Sequence, residues 1–118
     1  MPVATEIRLN KAERVLEVAF GDGARFRFPA EFLRVESPSA EVQGHGPGQK
    51  QIVPAKRSVA IVGIEPVGNY AVRLLFDDRH DTGIYSWEYL YELGEQQAQR
   101  WNAYLAALQE RGLSRDGV

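Results

Sequence analysis

The chain carries two histidines, His45 and His80, and no cysteine. His80 sits in the run Asp77-Asp78-Arg79-His80-Asp81, so one imidazole has three carboxylates beside it in sequence. Imidazole with carboxylate can ligate a divalent cation or share a proton in acid–base chemistry. The same run also has the composition of a solvated turn between two strands, where clustered charges ordinarily do no more than hold water. His45 lies in Gly44-His45-Gly46-Pro47-Gly48 with no partner at ligand spacing, which predicts an exposed and idle side chain. A two-histidine, one-carboxylate iron site is not supported, because His45 is followed by Gly46-Pro47 and His80 by Asp81-Thr82 rather than by a His-x-Asp/Glu unit. No serine stands in a Gly-x-Ser-x-Gly turn, and the glycine-rich stretch lacks the Lys-Ser/Thr of a phosphate loop. The missing cysteines remove disulfides, thiolate zinc sites and thiol nucleophiles.

Composition narrows the class further. The 118 residues suit one domain. Hydrophobic residues make up 44% and charged residues 25%, a globular mixture rather than a disordered one. Fourteen Lys+Arg against sixteen Asp+Glu give a net charge of −2, so bulk attraction to nucleic acid or anionic lipid is not expected. No apolar run approaches the roughly 20 residues of a membrane span, and no basic–apolar leader is evident at the start. The cytoplasm is the expected location. Residues 1–113 are read as a single domain and residues 114–118 as a frayed tail.

The elements that must position these residues follow from pattern. Residues 5–10, 14–20 and 24–28 alternate well enough to predict three strands, with a bulge or two-sided burial accounting for the broken parity in 14–20. Gly21-Asp22-Gly23 marks a tight turn. Pro29 is expected to stop the sheet and to open one helical turn over 30–34 from its first position. Residues 37–54, rich in Gly, Pro, Ser and Gln, predict a long loop. Residues 59–67 and 70–76 form a hairpin through Gly68-Asn69, and 82–85 a short extended piece. Ser86 reads as the N-cap of a helix ending near Gly94. From Glu95 a second helix begins, with Trp101, Tyr104, Leu105 and Leu108 on one face and Gly112 past its end. Strands first and helices last argue an α+β domain: an antiparallel meander, then one short and one longer C-terminal helix.

Two further groups bear on binding. Tyr85, Trp87, Tyr89 and Tyr91 cluster at the strand-to-helix passage, where aromatics either cap a core or anchor a partner. Arg34, Lys50, Lys56 and Arg57 flank the long loop and read as ordinary surface.

Two segments carry a family resemblance. One is Phe32-Leu33-Arg34-Val35-Glu36-Ser37-Pro38-Ser39-Ala40-Glu41-Val42 followed by Gly44-His45-Gly46. The other is Gly68-Asn69-Tyr70-Ala71-Val72-Arg73-Leu74-Leu75-Phe76-Asp77-Asp78, then His80-Asp81-Thr82-Gly83-Ile84-Tyr85-Ser86-Trp87-Glu88-Tyr89-Leu90. Together, over about residues 5–95, they resemble the gamma-butyrobetaine hydroxylase-like N-terminal domains. Such domains precede the catalytic domain of carnitine-pathway dioxygenases, are appended to some iron–sulfur cluster carrier or assembly proteins, and stand alone in small bacterial proteins; this chain looks like the last kind. The resemblance implies no oxygenase activity here, since the iron and 2-oxoglutarate sites of those enzymes lie in another domain.

The resemblance also implies a departure. The dioxygenase version holds a structural zinc through Cys-x-Cys-x-x-Cys after a Leu-Arg pair and one later histidine. Those positions fall on Ser37, Ser39, Val42 and His80, after Leu33-Arg34. Only the histidine remains, so no metal and no cofactor are expected. The serines are expected to replace metal bonds by hydrogen bonds, with His80 as a partner. The functional expectation is a monomeric, non-catalytic accessory domain that binds a protein, linked by resemblance to iron–sulfur or iron-enzyme biology. Its anticipated surface comprises Arg34, His45, Asp78, His80, Tyr85 and Trp87. The alternative is a small-molecule or metal binder, or an enzyme, using His80 with its neighbouring carboxylates.

Overall fold

Phe26 and Phe28 alternate with Arg25 and Arg27, and that alternation places one aromatic face toward the core and one charged face toward solvent. In the computed structural model, which describes residues 2–44 and 48–116, these residues form β3 (Arg25–Pro29). It completes an antiparallel sheet ordered β1-β2-β3 with β1 (Ala4–Asn10) and β2 (Val15–Phe20). Leu16 faces Leu9 and Phe28, while Glu17 faces Arg8 and Arg27. The broken parity of 14–20 reflects burial on both faces, since Val18, Ala19 and Phe20 are all buried, while the register shift lies in the partner strand between Ala4 and Glu6. The second sheet, ordered β4-β5-β6, is β4 (Ile61–Val67), β5 (Ala71–Phe76) and β6 (Gly83–Ser86), again antiparallel.

Four helices among the described residues accompany the sheets: α1 (Ala30–Val35), α2 (Ala40–Gln43), α3 (Trp87–Glu95) and α4 (Gln97–Glu110). Pro29 is the N-cap of α1 rather than its first residue, and it still pairs with Val15, so it does not end the sheet early. The long loop expected over 37–54 contains α2, capped by the Ser39 hydroxyl, which accepts from the Glu41 N–H. Ser86 caps α3 as expected, accepting from the Tyr89 N–H.

One core joins the inner faces of both sheets, α1 and α3. Leu16, Val18 and Phe28 meet Leu74 and Tyr85, and Phe32, Leu33, Leu90 and Leu93 close it. At Gly94 a Cβ would fall 2.4 Å from the Phe26 ring, so the absence of a side chain lets α3 sit on β3. A smaller cluster, Val35, Tyr104 and Leu108, anchors α4. Residues 114–116, expected to fray, are tied down: Ala55 N–H donates to the Ser114 carbonyl, Arg115 pairs with Glu31, and Arg57 pairs with Asp116.

Candidate functional site

The chain reverses between β5 and β6 through residues 77–82. Arg79 adopts φ 71°, and the Asp78 carboxylate accepts the His80 backbone N–H at 3.1 Å, which closes the turn. The Phe76 N–H donates to the His80 carbonyl at 3.0 Å. These bonds turn the His80 ring inward, 6.0 Å from the Phe76 ring, and leave the residue 3% exposed. His80 is therefore a buried residue and not part of a solvated turn. Packing against the segment after α1 supplies what water would otherwise provide.

That segment brings Ser37, Ser39 and Glu41. The Ser37 Oγ lies 2.8 Å from His80 Nε2, and Glu41 Oε2 lies 3.1 Å from His80 Nδ1. A carboxylate only accepts, so the network assigns the proton to Nδ1 and makes Nε2 the acceptor of the Ser37 hydroxyl. Ser37 Oγ in turn accepts the Ser39 N–H at 3.2 Å, and the Ser39 hydroxyl is 2.7 Å from that of Thr82. Burial lowers the His80 pKa, Arg34 repels its proton further, and Glu41 and Asp78 offset only part of this, so the neutral ring is favoured.

Beside it, Arg34 Nε and Lys56 Nζ meet on one oxygen of Asp78, at 2.8 and 2.6 Å. Burial alone would raise the Asp78 pKa; the Lys56 and Arg34 hydrogen bonds outweigh it and hold the value down at about 2. Arg34 Nη1 is buried and has no hydrogen-bond partner among the described residues. All four basic residues read as ordinary surface are used in ion pairs: Arg34 and Lys56 on Asp78, Lys50 on Glu36, Arg57 on Asp116. They staple the loop to the body.

Several anticipated surface residues are not at the surface. Tyr85 is fully buried, and its hydroxyl donates to the Leu33 carbonyl. It faces inward because β6 alternates and its neighbour Ile84 takes the outer face. His80 is buried as described, while the Arg34 and Asp78 side chains are 11% and 17% exposed. His45 lies outside the described residues. Trp87 stays half-buried; its backbone N–H donates to the Tyr70 carbonyl and its Nε1–H to the Asn69 carbonyl, each at 2.9 Å. Glu41, Thr82 and Tyr70 were not singled out from sequence. For Glu41 a signal existed: Ser39-Ala40-Glu41 is a helix cap followed by an acid in the first turn.

Ser37, His80 and Glu41 stand in the order of a serine–histidine–carboxylate relay. Such a relay works only if the hydroxyl reaches a substrate carbonyl. Ser37 has no exposed surface, and its Oγ rests against Gly83, where a Cβ would come within 2.6 Å. As folded, the three residues hold one another.

A family model described as gamma-butyrobetaine hydroxylase-like, N-terminal, matches residues 7–91. The chain belongs to this family. Two solution structures solved by NMR are similar to it at TM-score 0.85: one is 48% identical over 98% of this chain and 91% of its own, the other 49% identical over 98% and 86%. A crystal structure of a protein of unknown function from Acidithiobacillus ferrooxidans, placed in the DUF971 family, is 45% identical at TM-score 0.65, covering 77% of this chain and 91% of that one. No curated protein matches significantly. The family match spans both resembling segments, and with them the Ser37–His80 pair. No helix among the described residues is long and apolar enough to cross a membrane.

Proposed function

We propose that the domain is a non-catalytic interaction module that docks on a protein partner, and that this partner belongs to iron–sulfur or iron-enzyme biology, as the family resemblance implies. The observation that carries the reading is exposed apolar surface on the second sheet and its first turn. Tyr70 is 56% exposed and Ile84 45% exposed. Ile84 shares its strand face with Ser86, which precedes Trp87, and Trp87 is bonded to the Tyr70 carbonyl. Tyrosine and tryptophan are favoured anchors of protein interfaces. On the outer face of the first sheet Arg8, Glu17 and Arg27 form a wholly charged cross-strand row, whereas the corresponding row of the second sheet, Glu65, Arg73 and Ile84, ends on an apolar side chain. Internal use of the Ser37, His80 and Glu41 hydrogen bonds supports the same reading.

The test uses the full chain in its host cells with a photo-cross-linking residue at position 70 or 84, and at position 8 as the opposite-face control. One dominant adduct is expected from positions 70 and 84 and none from position 8, and the adduct from position 84 should be lost on Tyr70→Ser. Equal labelling from both faces would overturn the proposal. So would substrate turnover by the purified chain that disappears in His80→Ala.

A further inference from the structure

The Ser37–His80–Glu41 arrangement has the layout of a metal-binding histidine without its metal. Ligating histidines usually donate their second ring N–H to a carboxylate, which fixes the tautomer and aims the free nitrogen at the ion. Here Nδ1–H donates to Glu41 at 3.1 Å and Nε2 is aimed into the cluster. What stands before Nε2 at 2.8 Å is the Ser37 hydroxyl. We infer that this direct hydrogen bond takes the place of a cation bridge and that the Ser37–His80 bond is a metal-free clasp, joining the segment after α1 to the turn between β5 and β6.

The donor set does not fit the zinc that the family resemblance implies. A serine hydroxyl stays protonated at neutral pH and is a poor zinc ligand, and valine offers no donor. Both hydroxyls are also engaged: Ser37 with His80 and Ser39 N–H, Ser39 with Thr82 and the cap of α2. Val42 is buried as a core side chain. Asp78, the acid of the same turn, is held by Arg34 and Lys56. Among the described residues no three His, Cys, Asp or Glu side chains converge on one point. Packing closes the site further, because Gly83 lies against Ser37 Oγ. The clasp thus spans 43 residues of sequence with one neutral hydrogen bond, seconded by the Ser39–Thr82 contact, which spans 43 as well.

The experiment takes the freshly purified full chain and compares it with Ser37→Ala and with Ser37→Cys/Ser39→Cys/Val42→Cys. For the unaltered chain, elemental analysis should find less than stoichiometric metal. A strong chelator should leave its unfolding midpoint unchanged, and zinc calorimetry should show no submicromolar binding. Imidazole nitrogen NMR should show the Nδ1–H tautomer, with the Nε2 resonance moving on Ser37→Ala. The triple variant should take up one equivalent of cobalt(II) with thiolate charge-transfer absorption and tetrahedral d–d bands. A tightly held ion in the unaltered chain, or a chelator-sensitive midpoint, would overturn the inference. A folded triple variant that binds no cobalt would do the same. If the triple variant does not fold, the tautomer and chelator measurements decide alone: an Nε2–H tautomer, or an Nε2 resonance unmoved by Ser37→Ala, sinks the clasp.

Discussion

Arg115 grips the Glu31 carboxylate with two hydrogen bonds, at 2.8 and 2.6 Å, across 84 residues of sequence. Glu31 is 7% exposed, and the Arg115 guanidinium also lies 5.1 Å from the Trp101 ring. The end of the chain thereby neutralises a buried acid on α1 and covers an aromatic on α4. Removing the partner of a buried charge costs more than forming the pair gains, because the remaining ion is left desolvated. Arg115→Ala is expected to lower stability by about 2 kcal/mol, the partly exposed guanidinium reducing the full penalty of such a loss. Urea unfolding checks this, and Glu31→Gln should recover part of the loss in the double variant.

The Ser37–His80 bond should register as coupling rather than as two independent losses. Ser37→Ala and His80→Ala each remove a buried partner, and the double variant should be less destabilised than the sum of the two by about 1 kcal/mol. A double-mutant cycle by chemical denaturation measures it. Additive behaviour would mean that the two side chains contribute only packing.

Stability should depend on acid in two separate ranges. The His80 pKa is lowered in the fold from 6.5, so between the folded and unfolded values the unfolded chain binds more protons. Its contribution is complete above roughly pH 6.5 and is lost as pH falls below that. The Asp78 pKa is lowered from 3.8 to about 2, so its contribution is present above 3.8 and is lost as pH falls toward 2. Denaturation midpoints measured from neutral pH downward should show both limbs. His80→Gln should flatten the first and Asp78→Asn the second.

The contact between α3 and β3 should not tolerate a methyl group. At Gly94 a Cβ would fall 2.4 Å from Phe26 Cγ, inside the ring's own volume. Gly94→Ala should destabilise by about 1–3 kcal/mol despite the better helix propensity of alanine, since overpacking outweighs it. Thermal unfolding monitors the loss. Phe26→Leu, made in the same chain, should return some of it by vacating the space.

The local patterns were readable because they act over a few residues. The Ser86 cap needs only the N–H of Tyr89, and the α4 face needs only helical spacing. The candidate site was legible only in part. The resemblance set Ser37, Ser39 and His80 side by side as positions, whereas the charge run around His80 pointed to a solvated turn. Tyr85 was placed at the surface because alternation tells that Ile84 and Tyr85 face opposite ways without telling which way is inward.

The amino-acid sequence by itself determined the α+β class, the six strands, the α3 cap and the apolar face of α4. Hydrogen bonding and side-chain periodicity within an element set all of these. Tertiary structure alone decided that His80 is buried and neutral, that Glu41 orients it, that Arg34 and Lys56 share Asp78, and that residues 114–116 close over Glu31. Those outcomes join side chains about 20 to 84 residues apart. No short-range preference encodes them, because they exist only once two sheets and four helices have packed around one core.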